Sequence, residues 1–156
     1  MPVPHRPLND REIHALPSRL IAALALDTVQ LVAAHHPVSR LSQLIGRSAL
    51  IVVRGQRIFW PNLPDDLSAR PETLGLLAHE LTHVWQYANG MTLWHYLWRE
   101  RGHYRYRPIP GQPFQAYGYE QQAAIVEDWV RGLNGLPPRW GATATAELQT
   151  LVPFPH

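Results

Sequence analysis

The stretch LLAHELTHVWQY, Leu76 to Tyr87, sets three titratable groups, His79, Glu80 and His83, inside the most apolar helical pattern of the chain. Leu74, Leu77, Ala78, Leu81, Val84, Trp85 and Ala88 recur at helical spacing. Ser68 or Pro71 opens this helix, and Asn89-Gly90 is a ready stop. Residues four apart lie one above the other on a helix, so His79 and His83 aim two imidazoles at one point. Glu80, about 100° further round, reaches a water held there. A bound metal lowers the pKa of such a water to about 7, and the neighbouring carboxylate takes the proton as attack begins. This is why the H-E-x-x-H spacing serves zinc hydrolases. Chance alone gives the pattern in roughly two of a hundred shuffled chains of this composition, so context must decide. Burying two unpaired histidines and a glutamate costs several kcal/mol. A metal removes that conflict; a purely structural histidine pair needs other partners.

Zinc takes three protein ligands and keeps a fourth position open. With no cysteine in the chain, the third must be His, Asp or Glu. Gln86 and Asn89 stand where a metzincin has Gly and His, so that subclass is excluded. A second helical segment, YGYEQQAAIVEDW from Tyr117 to Trp129, supplies Glu120, Glu127 and Asp128. Glu120, Ala124 and Glu127 share one face, so periodicity alone leaves Glu120 and Glu127 as rivals. Small Ala123 and Ala124 favour Glu120, because they let that turn approach the metal helix closely. His95 and His103 stay open as ligands. An oxyanion stabiliser is expected near the metal. Tyr117, one turn before Glu120, is the candidate, with His103, Tyr104 and Tyr106 as rivals and a simple packing role open for each.

A chain of 156 residues with 46% hydrophobic content is one domain's worth. Its longest apolar run, LIAALAL, stops at Asp27, too short to span a bilayer. The start, MPVPHRPLND, has no apolar core of the secretory kind. The expected location is therefore the cytoplasm, or export by a route independent of a signal peptide. Residues 1–8 read as an arm and 9–156 as a single domain. Asn9 caps a short helix that Pro17 interrupts, and Ser18 caps its continuation to about Leu26. Thr28 to His35 reads as a strand and Ser39 to Gly46 as a short helix. ALIVVRGQRIFWP reads as a hairpin turning at Arg54-Gly55-Gln56 and ended by Pro61. A further helix covers Thr92 to Arg101, and dense prolines keep GHYRYRPIPGQPF out of a helix. A long helix covers Gln115 to Leu133, and a short one follows the link NGLPPRWG. The strand RIFW is expected at the sheet edge above the metal helix, where an extended peptide could pair with it. RERGHYRYR sets Arg99, Arg101, Arg105 and Arg107 among aromatics. With a net charge of only +2 this is a solvated face sooner than a nucleic-acid site.

LLAHELTHVWQY followed by YGYEQQAAIVED resembles the minimal gluzincin metallopeptidase-like domains of bacterial contractile injection and type VI secretion loci, a Vgr-related family. Upstream, LDTVQLV and GQRIFWPNLPDDL are similar to the family's two strands before the metal helix, and the resemblance covers about Pro7 to Arg131. It implies an α+β, zincin-like fold, with a small β-sheet packed on a central active-site helix and a second, ligand-bearing helix. In related gluzincins the third ligand is the glutamate of E-x-x-A-D, matched here by Glu120-Gln121-Gln122-Ala123. Ala124 replaces the aspartate of that pattern, so its supporting role is missing or passes to Glu127 or Asp128. The expectation is a zinc-dependent peptidase acting on a peptide or protein. His79, His83 and Glu120 hold Zn2+, Glu80 acts as base and Tyr117 as oxyanion donor. The alternative is a non-catalytic zinc-binding module serving secretion-system or effector assembly.

Overall fold

The computed structural model describes residues 2–37, 51–92 and 103–155. The expected Ser39–Gly46 helix, nearly all of Thr92–Arg101, and with it His95, Arg99 and Arg101, lie outside these. The described elements run β1 His5–Arg6, α1 Asp10–Ala15, α2 Ser18–Ala22, β2 Gln30–Val32, β3 Val52–Arg54, β4 Arg57–Phe59, α3 Pro71–Ala88, α4 Tyr119–Leu133 and α5 Thr145–Leu151. The architecture is α+β: a small four-stranded sheet of order β1-β2-β4-β3, with helices packed on it.

β3 and β4 form the expected hairpin, with Val53 opposite Ile58. Gly55 at the first turn position has φ 61°, the sign a II′ hairpin turn requires there. β2 runs parallel to β4, pairing Leu31 with Ile58. This overturns one expectation. Arg57–Phe59 is flanked on both sides, so RIFW is not an edge and cannot accept another strand; the edges are β1 and β3. β2 is also shorter than the expected Thr28–His35 strand. The Thr28 hydroxyl donates to Ala25 O at 2.7 Å and closes a 3-10 turn instead.

Part of the segment read as an arm joins the sheet. His5 and Arg6 pair with Val32 and Leu31, and Leu8 is buried. The lock is Glu12, which no sequence pattern singled out. Its carboxylate accepts both Nη atoms of Arg6 at 2.9 and 2.8 Å, and the backbone N–H groups of Asn9 and Leu67 at 2.9 Å each. Asn9 returns a cap by accepting from Glu12 N at 2.8 Å, so α1 opens on a full capping box. Glu12 thereby ties β1, α1 and the turn preceding α3. Ser18, by contrast, is the first residue of α2 and Pro17 occupies its cap position.

Burial pushes the Glu12 carboxyl up, but the Arg6 fork and the two N–H donors outweigh it and hold the group below its ordinary range. A carboxyl with a depressed folded pKa stabilises the fold above its unfolded value, about 4.3. That contribution disappears as pH falls through the folded value. Glu12→Gln is expected to lose about 2–3 kcal/mol at pH 7, somewhat below a fully buried pair, because the Arg6 side chain is 26% exposed. Denaturant melts should show that loss at pH 7 and a smaller one below pH 4. Equal losses at both would show that the ion pair is not what Glu12 contributes.

α3 starts at Pro71, where a missing N–H is harmless. It ends at Asn89, with Gly90 at φ 97° beyond it. Its buried apolar residues, Leu74, Leu77, Ala78, Leu81 and Val84, form the core with Leu31, Val53 and Ile58 of the sheet and Ile125, Val126 and Trp129 of α4. α4 begins later than expected. Pro113 leads into a 3-10 turn at Phe114–Ala116, Tyr117 is extended, and Gly118 caps. The side chain of Gln121 accepts from Gly118 N at 3.0 Å. α3 and α4 run antiparallel, since contacts pair Gly75 with Arg131, His79 with Glu127, His83 with Glu120 and Gln86 with Tyr119. Gly75 is needed at that crossing: a Cβ there would lie 2.9 Å from Arg131 Cγ.

Candidate metal centre

The α3–α4 interface is where the polar groups of the opening motif go. His79, Glu80, His83, Glu120 and Glu127 are all buried, as are Gln86 and Gln122. His79 Nε2 lies 3.2 Å from Glu120 Oε2, and His83 Nε2 lies 3.5 Å from the same oxygen. One ligand atom from each of His79, His83 and Glu120 falls within 4.8 Å of the others. This group, drawn from two helices and able to hold a metal, includes Glu120 and not Glu127.

The outer nitrogens show that these rings suit a cation. His83 Nδ1 lies 2.7 Å from Gln86 Oε1, while Gln86 Nε2 donates to Tyr119 O at 2.9 Å and Gln122 Oε1 at 3.0 Å. With its amide nitrogen so committed, Gln86 offers His83 an acceptor, and Nδ1 carries the proton. His79 Nδ1 likewise donates to Glu127 Oε2 at 3.0 Å. Both rings thus turn Nε2 toward Glu120, the orientation a metal ligand requires. The residues present fit a zinc site of two imidazoles and one carboxylate in donor type, count and supporting bonds.

The electrostatics follow from burial and from the carboxylates. Burial alone would lower both imidazoles. Hydrogen bonds from Glu120 and Glu127 raise His79 instead, and the charge and hydrogen bond of Glu120 raise His83. Burial likewise opposes ionisation of Glu120, but the two imidazoles hold its carboxyl well below the ordinary range. Glu80 behaves differently. Burial pushes it up to about 7, with His79 and His83 opposing and Glu120 and Glu127 reinforcing. Among the described residues nothing hydrogen-bonds its carboxyl.

Of Glu127 and Asp128, it is Glu127 that meets His79, at Nδ1. It lies two helical turns after Glu120 on the same face. It also accepts from Trp140 Nε1 at 2.7 Å and from Arg139 Nη1 at 3.2 Å. Those partners come from the Pro/Gly link, which Asp128 clamps. Its carboxylate accepts the backbone N–H groups of Arg139, Trp140 and Gly141 at 2.6, 3.1 and 2.9 Å, and the Tyr106 hydroxyl at 2.8 Å. Gln86 was readable as the same-face neighbour three residues after His83. Trp140 and Arg139 were not, because an irregular link carries no periodicity.

Of the tyrosines, Tyr117 is buried and its hydroxyl accepts Ile109 N–H at 2.9 Å, bracing the preceding loop. Tyr104 is the one placed beside His79. Its ring is 5.8 Å from that of His79 and stacks on Trp140 at 4.6 Å. Burial, with Glu120 and Glu80 adding to it, raises its phenol to about 12, so it stays a donor at neutral pH. His103 is exposed, as are Arg105 and Arg107.

Fold and site together define an α+β domain with a buried centre of two histidines and one glutamate, capable of holding a metal, between two antiparallel helices. Among solved structures it is similar to the effector domain of Pseudomonas aeruginosa VgrG2b, with 24% identity and a TM-score of 0.66. The match covers 93% of this chain and 80% of that one, and at this identity it shows a shared fold. No family model and no curated protein matches the chain. Among the described residues no helix is long and apolar enough to cross a membrane.

Proposed function

We propose that this protein is a zinc-dependent peptidase of the gluzincin kind. The observation that carries it is the convergence of His79 Nε2, His83 Nε2 and Glu120 with both outer ring nitrogens pinned. A zinc ion held there supplies Lewis acidity, lowering the pKa of water to about 7 and polarising a carbonyl. Glu80, buried and without a hydrogen-bond partner among the described residues, takes the proton of the attacking water and passes it to the leaving amine. Glu127 and Gln86 keep the two imidazoles in register. Tyr104 replaces Tyr117 as the proposed oxyanion donor, since its ring stands against His79 and its phenol remains protonated. The shared fold with an effector domain supports a secreted role, as does the resemblance to injection-associated gluzincins. Export without a signal peptide and secretion-system or effector partners belong to the same proposal.

Burial favours a second reading. His79, His83 and Glu120 are 4%, 5% and 1% exposed, as tight as a closed structural site. On that reading the domain is a zinc-stabilised module serving effector assembly and cleaves nothing. Metal analysis after zinc-supplemented expression, combined with a broad peptide library, tests both. One zinc per chain and chelator-sensitive cleavage are expected, and His79→Ala with His83→Ala should abolish both. Absence of any first-row metal overturns the zinc centre, and zinc without cleavage leaves the structural module.

A further inference from the structure

Next to the centre lies a cavity of about 350 Å3 lined by His103, Tyr104, Arg105, Gln121 and Trp140. Neither the ligand set nor the proposed base uses it. It shares one wall with the site, because Tyr104 stands between Trp140 at 4.6 Å and His79 at 5.8 Å. We propose that this cavity is a substrate subsite that seats a carboxylate of a peptide beside the scissile bond, with Arg105 as its counter-charge. The proposal builds on the peptidase reading and narrows its substrate class.

Three features give the cavity its chemistry. First, the two arginines at or near it differ in commitment. Arg139 sits over Trp140 at 4.4 Å and bonds Glu127 at 3.2 Å, so it is already neutralised. The guanidinium of Arg105 makes no ion pair or hydrogen bond among the described residues. Second, the backbone of Arg105 is anchored beside the cavity that its side chain lines. Gln121 Nε2 donates to its carbonyl at 2.9 Å, while Gln121 Oε1 accepts from Gly118 at the start of the Glu120 helix. The backbone that carries Arg105 is thereby tied to the helix end on which Glu120 stands. Third, the opposite wall is rigid. Asp128 gathers three backbone N–H groups of the Trp140 loop. A Cβ at Gly141 would lie 2.7 Å from the Tyr106 ring that closes behind it.

These features also speak against a nucleic-acid site. Stacked bases need an open aromatic face. Trp140 is covered by Tyr104 and Arg139, and Tyr104 is itself set between Trp140 and His79. The volume suits one side chain or a chain end. A planar guanidinium recognises either kind of carboxylate, an internal Asp or Glu or a free C-terminus.

The test uses the full chain purified with zinc and carrying Glu80→Gln, so that peptides bind without turnover. Fluorescent Ala-rich peptides each carry one Glu, Gln or Arg, walked along the sequence, with free or amidated C-termini. The Glu peptide of the best register, or the free-acid neutral peptide, should bind about tenfold tighter than its Gln or amidated match, less so at high salt. Adding Arg105→Glu should invert the order in favour of the Arg peptide. Equal binding of charged and neutral peptides overturns the subsite, as does an acidic preference that survives Arg105→Glu. Tighter Arg105-dependent binding of a single-stranded oligonucleotide overturns it too. Cleavage is read separately on protein with Glu80 intact. Charge-selective binding without cleavage fails the peptidase reading alone, and cleavage without charge selection fails the subsite alone.

Discussion

Replacing Glu80 by Gln will leave one zinc per chain and lower peptide hydrolysis by about 10²–10⁴-fold, the usual worth of a positioned base. Glu80 follows His79 directly, so its side chain leaves α3 about 100° away from the ligand face. Coordination from there is awkward, whereas contact with a water in front of the ligands is natural. The structure adds that Glu80 is buried yet without a hydrogen-bond partner among the described residues, while Glu12, Glu120 and Glu127 are each fully engaged. The Glu80 carboxyl has no oxygen among the fully buried unpaired atoms, so it reaches solvent and is open to a water. Its rise to about 7 comes chiefly from burial, which is how a carboxylate becomes a base matched to neutral pH. Gln keeps the shape and removes only the proton acceptor. Elemental analysis and a cleavage assay on the same preparation check the outcome. Loss of zinc together with activity would make Glu80 a structural support of the centre, and undiminished hydrolysis would remove it from the chemistry.

The grouping of His79, His83 and Glu120 was more legible in the sequence than the frame around it. His79 and His83 follow from the four-residue repeat alone, because an α-helix leaves little freedom in where such side chains point. Glu120 emerged because small Ala123 and Ala124 permit the close helix approach that the structure shows, both being fully buried. The hairpin was readable from Gly55, and the end of α3 from Asn89-Gly90. What escaped were relations set by tertiary contact. β4 looks like an edge strand until β2 pairs with its far side, and no local signal encodes a parallel partner so distant in sequence. The start of the chain looks like an arm because two paired residues have no periodicity, and the contacts that fix it, β2 and the Glu12–Arg6 pair, are tertiary. Tyr117 was chosen by helical spacing from Glu120, but α4 begins only at Tyr119, so that spacing does not apply. Tyr104 reaches His79 from a proline-dense stretch where spacing predicts nothing.

The division of labour between Glu120 and Glu127 gives the second large effect. Both are buried on one face of α4 and both touch His79, but on opposite nitrogens: Glu120 at Nε2, beside His83, and Glu127 at Nδ1, away from it. Only one carboxylate can share a cation with both imidazoles, and Glu120 Oε2 is the oxygen near both. Glu120→Ala deletes the proposed third ligand and should abolish measurable zinc retention against a moderate chelator. Glu127→Ala leaves three ligands in place and releases the orientation of His79, a change that typically weakens a metal site about 10–100-fold. It also leaves Trp140 Nε1 and Arg139 without their acceptor, so it should lower stability as well. Denaturation in the presence of chelator separates that loss from the metal effect, and chelator competition on folded protein then gives the order of affinities. Glu127→Ala losing zinc more completely than Glu120→Ala would exchange the roles of the two carboxylates. The ion would then sit on the Nδ1 side of His79, beyond the reach of the His83 ring that Gln86 holds turned toward Glu120.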